Sequence, residues 1–443
     1  MGYQDRYQEY LEEVSGDIAY CIESGKRPVF GYTSDLDVVF QYDPKVIDQL
    51  IAEHLTEEPK LRTEDLITSL SDLARVIAGY MMEGAGGEID ITDYEVCTYL
   101  NEHFEGTPGL GGTCAQGAAA LAATGMPLLA HITDRCKEVC TLLDYPGLEG
   151  VRDGRAVPIR ELATEETPVY HMILQYSKGD VFHIGDKEYT VPCSNRLIMD
   201  YDTIHKDLNV DADFRKYLEE HAEDLISYNI SGMNGIVDAE LVKRRMEEMS
   251  EHYRRIREKN PGCIFYFESA HYLSQQVMQE VYSSMAGYVD IMGMNEEELA
   301  VYAGESTGQA LNKGSLDDIL RCLQRVKEQY GAKGIILHTK DYSLYYGKKL
   351  EGIDIEKGLT IGNLMSGTRA RVGRYGTREE CAESLSLSLS EKGLRFAEEL
   401  SQKALSEYTC LVPSRYMEKP KYTIGLGDTF VAGVQMAFVS EKK

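Results

Sequence analysis

The amino-acid sequence predicts an α/β fold, with a parallel sheet covered on both faces and a smaller, mainly β domain beside it. Three observations carry that prediction: short apolar runs alternate with long helical patterns, one segment reads as a series of hairpins, and the composition is globular. At 443 residues the chain exceeds the usual domain size, so one large or two to three smaller domains fit. Hydrophobic residues at 43% and charged ones at 27% exclude a disordered, collagen-like or low-complexity chain.

In chain order, the apolar runs include PLLAHI (127–132), DLISYNI (224–230), CIFYFE (263–268), YVDIMG (288–293) and GIILHT (334–339). Continuous runs of this kind suit parallel strands buried on both faces. Helical patterns lie between and after them, including 238–260, 315–331 and 378–405. The segment 169–202 differs, because four short strand-like runs are separated by Lys-Gly-Asp and Gly-Asp turns. It reads as a meander of hairpins and is assigned to the small second domain. No Gly/Ser linker flanks it, so it should be packed rather than tethered.

Lys and Arg number 46 against 73 Asp and Glu, a net charge of −27. Such a field repels nucleic acid and anionic membrane, so neither is an expected partner. A small anionic substrate must instead meet a local cluster of Arg, Lys and backbone N–H groups. The ten Cys are scattered, with Cys136 and Cys140 the nearest pair, which disfavours a zinc or disulfide framework. The N-terminal MGYQDRYQEYLEEV has no basic region followed by an apolar stretch, and no run reaches membrane-spanning length. A cytoplasmic location is expected.

The most informative segment is KYTIGLGDTFVAGVQMAFVS (421–440), where a short β-like stretch enters Gly425-Leu426-Gly427-Asp428 and a helix follows. Glycines let the backbone turn tightly and point successive N–H groups at one spot, and the helix start adds its positive dipole end. That arrangement suits an anion. Asp428 would lie beside a bound phosphoryl group and accept the proton of an attacking hydroxyl. A plain N-cap with a turn would give the same string.

The wider string LVPSRYMEKPKYTIGLGDTFVAGVQMAF (411–438) resembles the C-terminal signature of the ADP-dependent sugar kinases, the glucokinase and phosphofructokinase branch of the ribokinase-like superfamily. The resemblance implies a three-layer α/β/α large domain with a small, mainly β lid. It also implies Asp428 as catalytic base, with the Gly425, Leu426 and Gly427 backbone as anion hole. Fifteen residues follow Asp428, as in the ADP-dependent branch, so ADP is the expected donor. Other pieces fall in the family's order. Asn295 and Glu298 match its N-x-x-E motif, one helical turn apart after a strand, where they can serve Mg²⁺ through its waters. Glutamate in a first helical turn is also favoured without any ligand. Glu268 ends Phe265-Tyr266-Phe267-Glu268, where the family has H-x-E, and joins Glu298 as a metal residue. Tyr266 stands in place of the His. The resemblance adds His338, Val412, Pro413 and Gly427 to Asn295 as nucleotide contacts. Arg196, in Cys193-Ser194-Asn195-Arg196-Leu197-Ile198, resembles the lid arginine that neutralises charge during transfer. Arg369, Arg371 and Arg374 are further anion contacts.

On the acceptor side, Phe30 to Val39 resembles the family's N-x-N-x-D sugar-binding strand. Thr33, Asp35 and Asp37 would share one face with period two, matching vicinal hydroxyls. Thr33 and Asp35 replace two Asn of the family pattern. Met82 to Glu88 resembles the segment that ends in the sugar-binding glutamate, which assigns that role to Glu88. Leu110-Gly111-Gly112-Thr113 resembles the Gly-Gly segment that approaches the sugar. Lys178, in a hairpin turn, would meet the phosphate of a phosphorylated acceptor. The implied large domain comprises 1–32, 46–80, 113–167 and 203–443; the lid and sugar-binding domain comprises 33–45, 81–112 and 168–202. The implied activity is transfer of the β-phosphoryl group of ADP to a sugar or sugar-phosphate hydroxyl, with Mg²⁺, releasing AMP. Two other readings fit the same residues: an ATP-dependent ribokinase-type enzyme, and a sugar or nucleotide sensor that has lost turnover.

Overall fold

The computed structural model describes residues 2–57, 59–61, 66–272, 274–307 and 310–439. Its strands are β1 (Arg27–Gly31), β2 (Asp35–Phe40), β3 (Gly87–Asp90), β4 (Gly106–Gly111), β5 (Leu128–Ala130) and β6 (Leu148–Arg152). Next come β7 (Arg155–Pro158), β8 (Tyr170–Tyr176), β9 (Val181–Ile184), β10 (Lys187–Thr190) and β11 (Asn195–Tyr201). The remainder are β12 (Leu225–Ile230), β13 (Ile264–Glu268), β14 (Ile291–Asn295), β15 (Gly334–His338), β16 (Tyr342–Gly347) and β17 (Tyr408–Pro413).

Ten of them form one sheet in the order β17-β16-β15-β14-β13-β12-β1-β5-β6-β7. The stretch from β15 to β6 is parallel, and antiparallel strands close both ends. Every residue of β12 and β15 is buried, as continuous apolar strands with both faces covered require. From β1 the chain returns first to β5 on one side and later to β12 on the other. The carboxyl ends beside such a reversal are where open α/β sheets bind ligands.

A second sheet has the order β3-β11-β8-β2-β4, and β9 with β10 makes a separate hairpin. All four strand-like runs of 169–202 are therefore strands, but only the outer two join the sheet. Helix Pro44–His54 packs on helix Leu70–Glu83 and on β9, beside the hairpin rather than with the large sheet to which 46–80 was expected to belong. The pattern at 378–405, expected as one helix, is two: Arg378–Ser384 and Glu391–Ser401. Ser390 caps the second by accepting from the Gly393 N–H, and Leu389 bridges to Arg415, so the chain turns between them.

The helix Leu426–Val434 is held by helix Ile355–Val372. Their backbones touch at Gly362 and Gly433, where a Cβ on Gly433 would lie 2.6 Å from the Gly362 Cα. Gly433→Ala must push the two helices apart, which costs about 1–3 kcal/mol. A lowered thermal midpoint together with lowered kcat is expected; a variant as stable and active as wild type would disprove the close contact.

Candidate active site

Four of the parallel strands end on the same side with a residue singled out from the sequence or next to one. β13 ends at Glu268, β14 at Asn295 and β15 at His338, while β1 ends at Gly31, from which the chain crosses to β2. Glu268 receives two hydrogen bonds: its Oε1 is 2.7 Å from His338 Nε2, and its Oε2 accepts from the Tyr266 hydroxyl at 2.9 Å. Tyr266 thus orients Glu268 directly, and an imidazole reaches the same carboxylate from β15. Gly293 makes the room, since any Cβ there would collide with Glu268 and Tyr266.

Asn295 and Glu298 cap the helix Glu296–Thr307 reciprocally. Asn295 Oδ1 accepts from the Glu297 and Glu298 N–H groups at 2.8 and 2.9 Å, while Glu298 accepts from Asn295 N and Nδ2 at 2.9 and 2.7 Å. The cap and the carboxylate role coexist in these residues. Burial first, and then the Glu268 carboxylate, push Glu298 up to about 7.

No strand leads into the Gly425 turn; residues 421–424 are irregular. What holds the turn is Arg369, from the helix Ile355–Val372. Its Nε donates to the Ile424 carbonyl at 2.9 Å and its Nη2 to Gln116 Oε1 at 3.0 Å. Its guanidinium lies 4.0 Å from the centre of the Tyr375 ring. Arg369 is 4% exposed, and its Nη1 finds no hydrogen-bond partner. Gly425, with φ 66°, tolerates no side chain, because a Cβ would collide with Gln116. Asp428 lies half-buried in the first turn of the following helix. Burial, then Glu268, push it up to about 6, against Arg369, a hydrogen bond from Thr113 and His338. Burial disfavours a charged His338, but Glu268 and Glu298 outweigh it and raise the imidazole.

Beside this turn lies a cavity of about 510 Å³ whose wall includes Asn295, His338, Ser366, Tyr416, Gly427 and Phe430. Val412 and Pro413 are not in that wall. Both are buried in β17, with their carbonyls taken by Asn363 Nδ2 at 3.1 Å and the Tyr7 hydroxyl at 2.8 Å. Leaving β17, the chain first meets the cavity at Ser414. Arg371 pairs with Glu383 at 2.9 Å and Arg374 with Glu380 at 2.5 Å, so of the three arginines only Arg369 stands at the turn.

Across from the turn, β2 and β8 pair with Asp37 opposite His171, and β8 pairs with β11 so that His171 faces Asp200. His171 Nδ1 is 3.0 Å from Asp35 Oδ1 and 3.4 Å from Asp37 Oδ1. Glu88, on β3, lies beside Asp200 and adds to its raised proton affinity. Burial raises Asp35 and Asp200, while the acids together hold His171 well above its ordinary range despite its own burial. Gly111 leaves space for the two Asp carboxylates, and Gly112, with φ 80°, would place a Cβ 2.6 Å from the Thr33 carbonyl. Thr33 does not share the face of Asp35 and Asp37. The chain leaves β1 at Gly31 and enters β2 at Asp35, and the intervening Thr33 side chain turns toward Gly232. Tyr422 links the two halves: a Cβ at Gly109 would lie 3.9 Å from its hydroxyl and 4.0 Å from the Asp37 Cβ. Arg196 and Lys178 are both exposed, and the Lys178 N–H donates to Ser194 Oγ at 2.8 Å.

Sequence reasoning missed His171 and Asp200 and gave Thr113 and Gln116 no role. The two former sit in an unremarkable strand pattern, and only the register brings them to Asp35 and Asp37.

The chain is 24% identical to the ADP-specific phosphofructokinase of Pyrococcus furiosus, over 92% of this chain and 96% of that one. It is also 24% identical to the ADP-dependent glucose/glucosamine kinase of Pyrococcus abyssi, over 100% and 99%. Its fold superposes on a reconstructed last common ancestor of ADP-dependent phosphofructokinases from Methanosarcinales with a TM-score of 0.83, at 18% identity over 100% and 99% of the chains. The family model for the ADP-specific phosphofructokinase/glucokinase conserved region matches residues 26–437. The chain belongs to that family and is an ADP-dependent sugar kinase.

Proposed function

We propose that this kinase binds ADP against the Gly425 turn and transfers its β-phosphoryl group to a hydroxyl of an unphosphorylated sugar held by Asp35, Asp37, His171 and Glu88. The observation that carries the reading is Asp428, a half-buried carboxylate with raised proton affinity, one helical turn from Gly425 and near a guanidinium nitrogen with no protein partner. Asp428 accepts the proton of the attacking hydroxyl. The backbone N–H groups at Gly425 to Gly427 and the Arg369 Nη1 meet the charge that develops on the phosphoryl oxygens. Arg196 adds to them when the smaller sheet closes over the site as a lid, which excludes water and so prevents hydrolysis of the donor. His338 and Asn295 line the nucleotide side.

Glu268, Glu298 and Asp428 converge here: burial first and the Glu268 charge second raise Glu298 and Asp428, while the His338 imidazole opposes the shift. A hard divalent cation fits such an oxygen set, as the family's divalent-metal requirement demands, and we assign Mg²⁺ held through water by Glu268 and Glu298. Bound there, it neutralises phosphate charge. All ten Cys are free, and no helix of the described residues is long and apolar enough to cross a membrane, which agrees with a cytoplasmic enzyme.

The acceptor pocket gathers four acids and no Lys or Arg pairs with Asp35, Asp37 or Asp200 among the described residues, so an anionic acceptor is disfavoured there. A sugar phosphate is the second reading, favoured by Lys178 and Arg196 near one edge of the sheet. With ADP as donor, kcat/KM for glucose is expected to exceed that for fructose 6-phosphate; the reverse order would move the acceptor to the phosphorylated class, and a preference for ATP would overturn the donor.

Asp428→Asn is expected to lower kcat about 10²- to 10⁴-fold while nucleotide binding, measured by calorimetry, stays within about threefold. Unchanged turnover would remove Asp428 from the chemistry. Because Glu298 at about 7 and Asp428 at about 6 lie above the ordinary carboxylate range, the fold binds their protons more tightly than the unfolded chain does. Their contribution to stability is present below that range and is lost as pH rises through 6 to 7. The thermal midpoint of metal-free protein should therefore fall more steeply from pH 6 to pH 8 than that of Glu298→Gln, and Mg²⁺ should shrink the difference. Parallel curves without metal would contradict the charge convergence.

A further inference from the structure

We infer that Asp35, Asp37 and His171 form a binding site for one divalent transition metal of the Zn²⁺ class, which occupies the acceptor pocket when sugar is absent. The competition with sugar rests on the acceptor reading above; the metal site rests on side-chain geometry alone.

One ligand atom from each of the three side chains can lie within 4.8 Å of the others. His171 Nδ1 is 3.0 Å from Asp35 Oδ1 and 3.4 Å from Asp37 Oδ1. A tetrahedral ion about 2.1 Å from its ligands sets them about 3.4 Å apart, so small side-chain shifts close the site. One imidazole with two carboxylates is a donor set for Zn²⁺ or Co²⁺, whereas Mg²⁺ takes oxygen ligands in octahedral geometry. The remaining position is open to water.

A separate observation supports the same site. The other ring nitrogen of His171, Nε2, lies 3.9 Å from Asp200 Oδ1, too far for a hydrogen bond but on the side from which an outer carboxylate orients a metal-bound imidazole. Asp200 is 6% exposed, and its Oδ1 is buried without a hydrogen-bond partner, as is Asp35 Oδ1. Buried carboxylate oxygens that meet the His171 ring without a hydrogen bond retain lone pairs for a metal ion. Access is open as well: the His171 side chain is 28% exposed, and Gly111 presents only backbone to the two Asp carboxylates. The metal would use the atoms proposed for the sugar hydroxyls, so the two ligands exclude each other.

The test is a Co²⁺ titration of the metal-stripped full-length enzyme in excess Mg²⁺, followed by visible absorption. A stoichiometric tetrahedral band that is lost in both His171→Gln and Asp37→Asn supports the site, with retained ADP binding showing that each variant is folded. No band in wild type, or a band that survives in both variants, overturns it. In the wild-type enzyme, Zn²⁺ at ten times its dissociation constant should raise the apparent KM for sugar about tenfold with kcat unchanged. Inhibition competitive with ADP instead would overturn the placement. A band lost in the variants but untouched by every sugar the enzyme phosphorylates keeps the metal site and overturns the acceptor assignment.

Discussion

One buried guanidinium organises the site. Arg369 ties the Ile424 carbonyl just before the glycine turn to Gln116 on the helix Thr113–Ala122, and it stacks on Tyr375. These bonds use Nε and Nη2, which leaves Nη1 without a protein partner. A buried guanidinium with an unsatisfied donor costs free energy unless something polar meets it, and an anion at the turn does so. The same residue that shapes the turn therefore also presents an unpartnered donor beside it.

Everything that fixes Arg369 acts on the turn at one remove. Its helix is pressed against the helix Leu426–Val434 through the glycine contact at 362 and 433. On its other side it is anchored to the N-terminal helix by Lys357, which pairs with Asp17 at 2.8 Å and Glu13 at 2.9 Å. Tyr422 carries the packing on toward β4 and Asp37. The turn, the cavity beside it and strands β2 and β4 thus share one set of contacts.

Around that guanidinium the structure concentrates acids. Glu268, Glu298 and Asp428 gather beside the glycine turn; Asp35, Asp37, Asp200 and Glu88 gather with His171 on the smaller sheet. In a chain of net charge −27 this is self-repulsive, and the raised proton affinities of Glu298 and Asp428 reflect burial first and that repulsion second. Such convergence has a use where cations and hydroxyl protons must be bound, which is the chemistry of a metal-assisted kinase.

The sequence alone determined the parallel architecture, because unbroken apolar runs alternating with helices have few other packings. It also placed the Gly425 turn ahead of a helix, Glu268 at a strand end and Glu298 in the helical turn after one, because backbone conformation and strand ends are local properties. It misjudged Thr33, where a chain crossing interrupts the period-two pattern, and the helix at 378–405, where a serine cap divides a continuous amphipathic stripe. It placed Val412 and Pro413 at the nucleotide, although their carbonyls are spent on Asn363 and Tyr7. Only the tertiary structure decided that His171 and Asp200 belong with Asp35 and Asp37, and that Arg369 rather than Arg371 or Arg374 reaches the turn. Strand register and helix packing join residues more than a hundred positions apart, and no local pattern in the chain encodes which of several equivalent side chains will meet.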